Sequence, residues 1–228
     1  MKRSHHSAVT LVAFVAACSP KQQAAAPPPH VVTITATDYA FAAADTIPAG
    51  LTTVRMVNQG HEVHQAVLYS APGKTFAELE AVAAPQGPVP EWWHAFLAIQ
   101  PTFPGGAGEV VPGDTSVITV NLTPGNYVIA CFIPSPDGKW HVQKGMHRRL
   151  VVAPAAGATA PAAADPKSDL TVTLSDYAFN ISAPVTAGTH TIRVENSGPQ
   201  VHELAVERLA PGKTLADWQR WAQGGMKG

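Results

Sequence analysis

Short runs of alternating apolar and polar residues, each stopped by a turn rich in Pro, Gly or Asn, constrain this chain more than any other feature. Alternation runs through residues 31–36, 53–57, 63–68, 116–122 and 127–130, the period of half-buried β-strands. Pro48-Ala49-Gly50, Asn58-Gln59-Gly60, Pro112-Gly113-Asp114, Pro124-Gly125-Asn126 and Pro136-Asp137-Gly138 punctuate them, each with residues that preset or tolerate turn dihedrals. Short strands at such spacing predict an all-β sandwich or barrel. A helical insertion is expected at 75–84, where Thr75 faces Glu78 as a capping pair. A weaker helix is expected at 91–99, its Trp92, Trp93 and Phe96 serving as core cover and His94 on its surface.

The chain also repeats itself. Thr33 to Phe41 (TITATDYAF) returns as Thr171 to Phe179 (TVTLSDYAF), an offset of 138, and Gly60 through His64 returns as Gly198 through His202. Ala71-Pro72-Gly73-Lys74-Thr75 recurs as Ala210-Pro211-Gly212-Lys213-Thr214. An Ala/Pro-rich linker, 154–168, separates a first unit, 30–153, from a partial second copy, 169–228. That copy runs level with Gly105-Gly106, which read as a turn, and so holds half of the sandwich. Isolated pieces of two or three strands are rarely stable. The segment is therefore expected to be part of a longer protein or to be propped against the first unit.

Met1-Lys2-Arg3 supplies positive charge and residues 8–17 form an apolar run too short for a mature membrane span, the pattern of a signal peptide over 1–18. It ends in Val15-Ala16-Ala17-Cys18, which resembles the bacterial lipobox. Cys18 is thus the expected lipidation site, and the Pro/Ala stretch 19–29 a tether between membrane and folded chain. The protein is expected to be exported and held at the periplasmic or outer-surface face of a membrane. Lys and Arg number 15 against 16 Asp and Glu, a net charge of −1, which argues against nucleic acid as a partner.

With Cys18 lipidated, Cys131 has no second cysteine to pair with. A lone thiol in an oxidising compartment calls for a purpose such as metal ligation or an intermolecular bond. Its neighbourhood supplies one: Cys131 is followed by His141 and Met146, while His64 opens a strand after the Asn58 turn. A thiolate, two imidazoles and a thioether suit copper cycling between Cu(I) and Cu(II). His61, three residues before His64, becomes Pro199 in the repeat and reads as a loop residue. His147-Arg148-Arg149 reads as a solvated strand edge rather than a patch for an acidic partner.

This set, in this order, resembles the cupredoxins, the type 1 blue-copper proteins, over roughly residues 30–153. Asn58-x-Gly-x-x-x-His64 resembles the family's first-ligand turn and residues 126–131 its penultimate strand, while His141-x4-Met146 has the spacing of plastocyanins. The nine residues between Cys131 and His141 are closer to the type 1 loop of copper nitrite reductases. Pro134, Pro136, Asp137 and Gly138 are expected to fold them into a turn that brings His141 back. The resemblance implies an all-β Greek-key β-sandwich with a type 1 copper held by His64, Cys131, His141 and axial Met146, with His141 nearest solvent and passing the electron.

The expected function is electron carriage between redox partner proteins of the cell envelope. Enzymes of the family carry a His directly before the type 1 Cys; here that position is Ala130, and no His-x-His pair occurs. The alternatives are a copper-free binding or structural module, a copper store or chaperone, and, less favoured, part of a multicopper enzyme. His202 repeats His64 without a Cys, His and Met behind it.

Overall fold

The structure, a computed structural model, describes residues 27–83, 89–155 and 163–223. The signal segment, Cys18, most of the 19–29 tether and the middle of the 154–168 linker lie outside the described residues. Nine strands of the first repeat copy form two sheets. One sheet has the order β2 (Ala40–Ala42), β1 (His30–Thr37), β4 (Gly50–Asn58), β7 (Thr115–Leu122). The other runs β3 (Thr46–Pro48), β9 (His147–Ala153), β8 (Gly125–Ala130), β5 (His64–Ser70), β6 (Thr102–Val110). Pairing is antiparallel except for β1 with β4 and β3 with β9.

The sheets face each other across one apolar core. Ile34, Val54 and Met56 from one sheet meet Ala66, Leu68, Ile129 and Val152 from the other, all buried. At about 25 cal/mol per Å2 of apolar surface removed from water, each large side chain here contributes on the order of 1.5–3 kcal/mol. The other face of β5 and β8 is buried as well. Tyr69, Val128 and Ala130 pack under Leu79 and Phe96, which belong to α1 (Phe76–Ala83) and α2 (Val89–Ala98).

The helical cover explains a departure from the expected pattern. Alternation is expected over residues 127–130, but Tyr127, Val128, Ile129 and Ala130 are all apolar and all buried, because β8 has core on one face and helices on the other. The cap of α1 forms as expected: the Thr75 N–H donates to Glu78 Oε2 at 2.8 Å and the Glu78 N–H to Thr75 Oγ1 at 3.3 Å. Phe96 is buried edge-on against Tyr69, centroids 5.0 Å apart, while Trp93 and His94 are exposed.

Gly105 and Gly106 are not a turn. Both lie inside β6, opposite Leu68 and Val67. A Cβ on Gly106 would stand 2.4 Å from the Ala66 carbonyl oxygen, so the glycine marks a close approach of two backbones. The basic residues of β9 are paired: Arg148 with Asp45 at 2.7 Å and Arg149 with Glu80 at 2.6 Å.

The second copy reproduces the first hairpin and its parallel neighbour as β11 (Ala178–Ile181), β10 (Leu170–Ser175) and β12 (Ile192–Asn196). Leu170, Val172 and Leu174 are buried with Leu204 against them. Phe179 and Val194, which correspond to the buried Phe41 and Met56, are 62% and 48% exposed. The described residues contain no second sheet over that face. The apolar face of α3 (Leu215–Gln223) is open too, with Leu215 exposed. Glu207 and Glu203 lie near enough to Glu109 of β6 to add to the burial that raises its carboxyl pKa.

Candidate metal centre

Three segments converge at one end of the sandwich. The first is the turn between β4 and β5. Asn58 is fully buried, donating from Nδ2 to the carbonyls of Glu62 at 2.8 Å and Val110 at 2.7 Å and accepting the Gly60 N–H at 2.8 Å. One side chain thus satisfies the turn's backbone where water is excluded, and it sets His64 at the start of β5.

The second and third segments are the end of β8 and the loop that leaves it. Cys131 follows Ala130 directly. The loop then doubles back as a small hairpin, with Ser135 N–H on the Lys139 carbonyl at 2.8 Å and His141 N–H on the Ile133 carbonyl at 2.9 Å. Gly138 closes it at φ 79°. The expected turn through Pro134, Pro136, Asp137 and Gly138 is therefore present. A 3-10 turn, His141–Lys144, ends at Gly145 with φ 99°, a left-handed position that suits glycine. The Met146 N–H then reaches the His141 carbonyl at 2.9 Å, and the Cys131 N–H the Met146 carbonyl at 3.2 Å.

The result places one donor atom each from His64, Cys131 and His141 within 4.8 Å of one another. The Nδ1 atoms of the two histidines are 3.0 Å apart, and Cys131 Sγ is 3.3 Å from His141 Nδ1. All three side chains are fully buried. Met146 is fully buried in the same core cluster as Cys131. Both Nε2 atoms are engaged from outside, His64 by Asp38 Oδ1 at 2.9 Å and His141 by Glu62 Oε2 at 2.8 Å. Metal-bound histidines hold their remaining N–H in this way.

His141 is not the solvent-facing group that the resemblance implied. Its side chain is 0% exposed, because Glu62 covers Nε2 and Tyr39 lies edge-on to the ring at 5.1 Å. Sequence pattern gave no sign of either. The repeat carried the one usable signal, since Asp38 returns as Asp176, 2.9 Å from His202. His61 is a loop residue, as read: its ring is 95% exposed and its Nδ1 meets Asp38.

Electrostatics follow from burial. Burial pushes the Cys131 thiol up to about 11, against the Gln65 and Ile133 backbone N–H groups that favour the thiolate. Burial also lowers the His141 imidazole pKa, although Glu62 opposes it. Tyr39 holds the Glu62 carboxyl below its usual range, against burial. Burial works against the Asp38 carboxylate as well, but hydrogen bonds from His64 and His61 outweigh it and hold its pKa low.

No family model matches the chain, and no curated protein matches it by sequence. Among solved structures it is similar to an auracyanin from Roseiflexus castenholzii, 23% identical over 56% of this chain and 100% of that one, TM-score 0.39. Auracyanin A from Chloroflexus aurantiacus is 19% identical over 54% and 98% of the two chains, TM-score 0.37. Rusticyanin from Thiobacillus ferrooxidans is 18% identical over 54% and 77%, TM-score 0.33. The structures that this chain resembles are cupredoxins. At these identities and scores, the chemistry of the centre rests on the chain's own side chains.

The donor set passes a test of its own. Two imidazole lone pairs and a sulfur meet in a closed space without a carboxylate oxygen among them, a combination that favours a soft or borderline ion over Mg2+ or Ca2+.

Proposed function

We propose that this chain is an envelope-anchored copper protein that carries electrons through one type 1 copper. His64 and His141 would hold the ion through Nδ1, Cys131 as thiolate and Met146 as thioether. Residues 30–153 are the copper unit and 169–228 a partial second copy. Cys18 carries the lipid anchor, residues 19–29 are the tether, and the partners are redox proteins of the envelope. The observation that carries the reading is the buried convergence of His64, Cys131 and His141 with both outer ring nitrogens tied to carboxylates.

Bound copper supplies a one-electron couple between Cu(I) and Cu(II). The residues supply a setting that changes little between the two states. Backbone hydrogen bonds hold the Cys131 and His141 loop, and core packing holds Met146. Enclosure of the three donors excludes water that could bind as a substrate, which favours carriage over catalysis. No described helix is long and apolar enough to cross a membrane.

Adding Cu(II) to the metal-free chain tests the reading. An intense visible thiolate-to-copper band at one copper per chain is expected. Copper uptake without that band would favour a store or chaperone, and no uptake a copper-free module. Radiolabelled fatty acid should enter the wild-type chain in a bacterial host and not Cys18→Ala.

A further inference from the structure

We infer that Glu62 is the positioning residue of this centre: its carboxylate holds the His141 Nε2–H, which leaves Nδ1 as the donor facing Cys131 and His64, and Tyr39 with Lys144 fixes that carboxylate from the solvent side. The inference rests on the metal-site reading above.

Every polar atom in this group has its partner. Glu62 Oε2 accepts from His141 Nε2 at 2.8 Å and Oε1 accepts from Tyr39 Oη at 2.6 Å. Tyr39 Oη, with its one proton given to Glu62, accepts from Lys144 Nζ at 3.0 Å and Ser135 Oγ at 3.3 Å. That uses both lone pairs of the phenol oxygen. Lys144 also pairs with Asp137 at 3.1 Å and sits 4.3 Å over the Tyr39 ring. The carboxylate is thus held on both oxygens while remaining 27% exposed, and the imidazole beneath it is fully covered.

The repeat separates this role from that of the turn. In the second copy the Asn196 turn forms in the same way, with Nδ2 on the Gln200 carbonyl at 2.7 Å and the Gly198 N–H on Oδ1 at 3.0 Å. Asp176 still holds His202. Position 62 is Gln200 there, and Tyr177, the counterpart of Tyr39, is 91% exposed. The Asp38 to His64 bond therefore belongs to the shared corner of the fold. The turn folds with either Glu or Gln at this position, so Glu62 is not required to form it.

The test uses the full metal-free chain, labelled with 15N at histidine, and follows the ring protons. The wild-type protein should show a directly bonded Nε2–H on His141 that exchanges slowly with water. Glu62→Gln, whose side-chain carbonyl still accepts, should keep it. Glu62→Ala should speed its exchange at least tenfold, and Tyr39→Phe should have a smaller effect in the same direction. A wild-type His141 protonated only on Nδ1, or an unchanged exchange rate in Glu62→Ala, would overturn the inference. A protected Nε2–H in a chain that never develops the thiolate-to-copper band overturns the electron-carrier reading alone. A band in a chain whose Glu62→Ala proton is unaffected overturns the positioning role alone.

Discussion

The Nδ1 atoms of His64 and His141 face each other at 3.0 Å while their Nε2 atoms bind Asp38 and Glu62. With both outer nitrogens protonated and held, two lone pairs meet in a buried space, an arrangement that a cation relieves. Metal binding should therefore stabilise the fold. At a free concentration one hundred times Kd the gain is about 2.7 kcal/mol, and each kcal/mol moves the midpoint of a chain of this size by about 2–4 °C. His64→Ala should abolish the metal-dependent rise in Tm while the chain still unfolds cooperatively. A full rise in that variant would remove His64 from the ligand set.

Cys131 should be inert in the metal-free protein. Burial raises its thiol from 9.0 to about 11, and the thiolate is the reactive form. Iodoacetamide at pH 8 should label it far more slowly than in urea-unfolded chain. A folded pKa above the unfolded one means that the folded state retains the proton longer. The contribution is complete below about 9 and is lost as pH rises through about 11. Urea midpoints of the metal-free chain should fall across that window, and Cys131→Ser should flatten the fall. Equal slopes in the two proteins would show that another group titrates there.

Much of the first copy was legible because alternation and turn chemistry are local. The expected runs appear as β1, β4, β5, β7 and β8, and the Thr75 cap and the hairpin of the Cys131 loop form where those residues stand. The missed strands have non-local causes. β6 reads TFPGGAGEV, a poor strand sequence, and exists because Gly106 lets it lie against Ala66. β3 is three residues long and is fixed by pairing with β9. At the centre, His64, Cys131 and His141 could be named from order and spacing, which record what a chain can bring together. Glu62 and Tyr39 could not, since a carboxylate in a turn has no periodic signature and its role arises only when the Cys131 loop folds over it. Tyr39 has φ 37° and Tyr177 φ 63°, so the left-handed tyrosine belongs to the hairpin, and in the first copy it also holds Glu62.

The aromatic cover over β5 and β8 should carry much of the stability on that side. Phe96 is fully buried and lies 5.0, 5.7 and 6.0 Å from the rings of Tyr69, Phe103 and Phe132. Phe96→Ala should cost about 3–5 kcal/mol, the range for a buried phenylalanine. The thiolate-to-copper band should survive, because that cover packs on the face of β8 opposite Ile129 and the inner core. Chemical denaturation with copper absorbance as a second probe checks both. A loss of the band at full secondary structure would mean that the cover positions the Cys131 loop.

Gly60 is the position where the smallest change should do the most harm to the centre. Its backbone is not left-handed, so a side chain there meets no dihedral penalty. The obstacle is space: a Cβ would stand 2.3 Å from Asp38 Oδ1 and 2.6 Å from His64 Nε2. Those two atoms form the hydrogen bond that orients His64, so the added methyl must part them or shift the turn. Partners of this kind are worth about 10–100-fold in metal affinity, and Gly60→Ala should weaken copper binding by that order while leaving the sandwich folded. Gly198→Ala is the matched control. Its Cβ would crowd Asp176 and His202 at 2.6 and 2.9 Å, far in sequence from Cys131 and His141, so copper affinity should not change. Affinity measured by competition with a chelator decides it: equal losses in the two variants would mean that the damage spreads through the fold, and no loss in Gly60→Ala would mean that Asp38 does not orient His64.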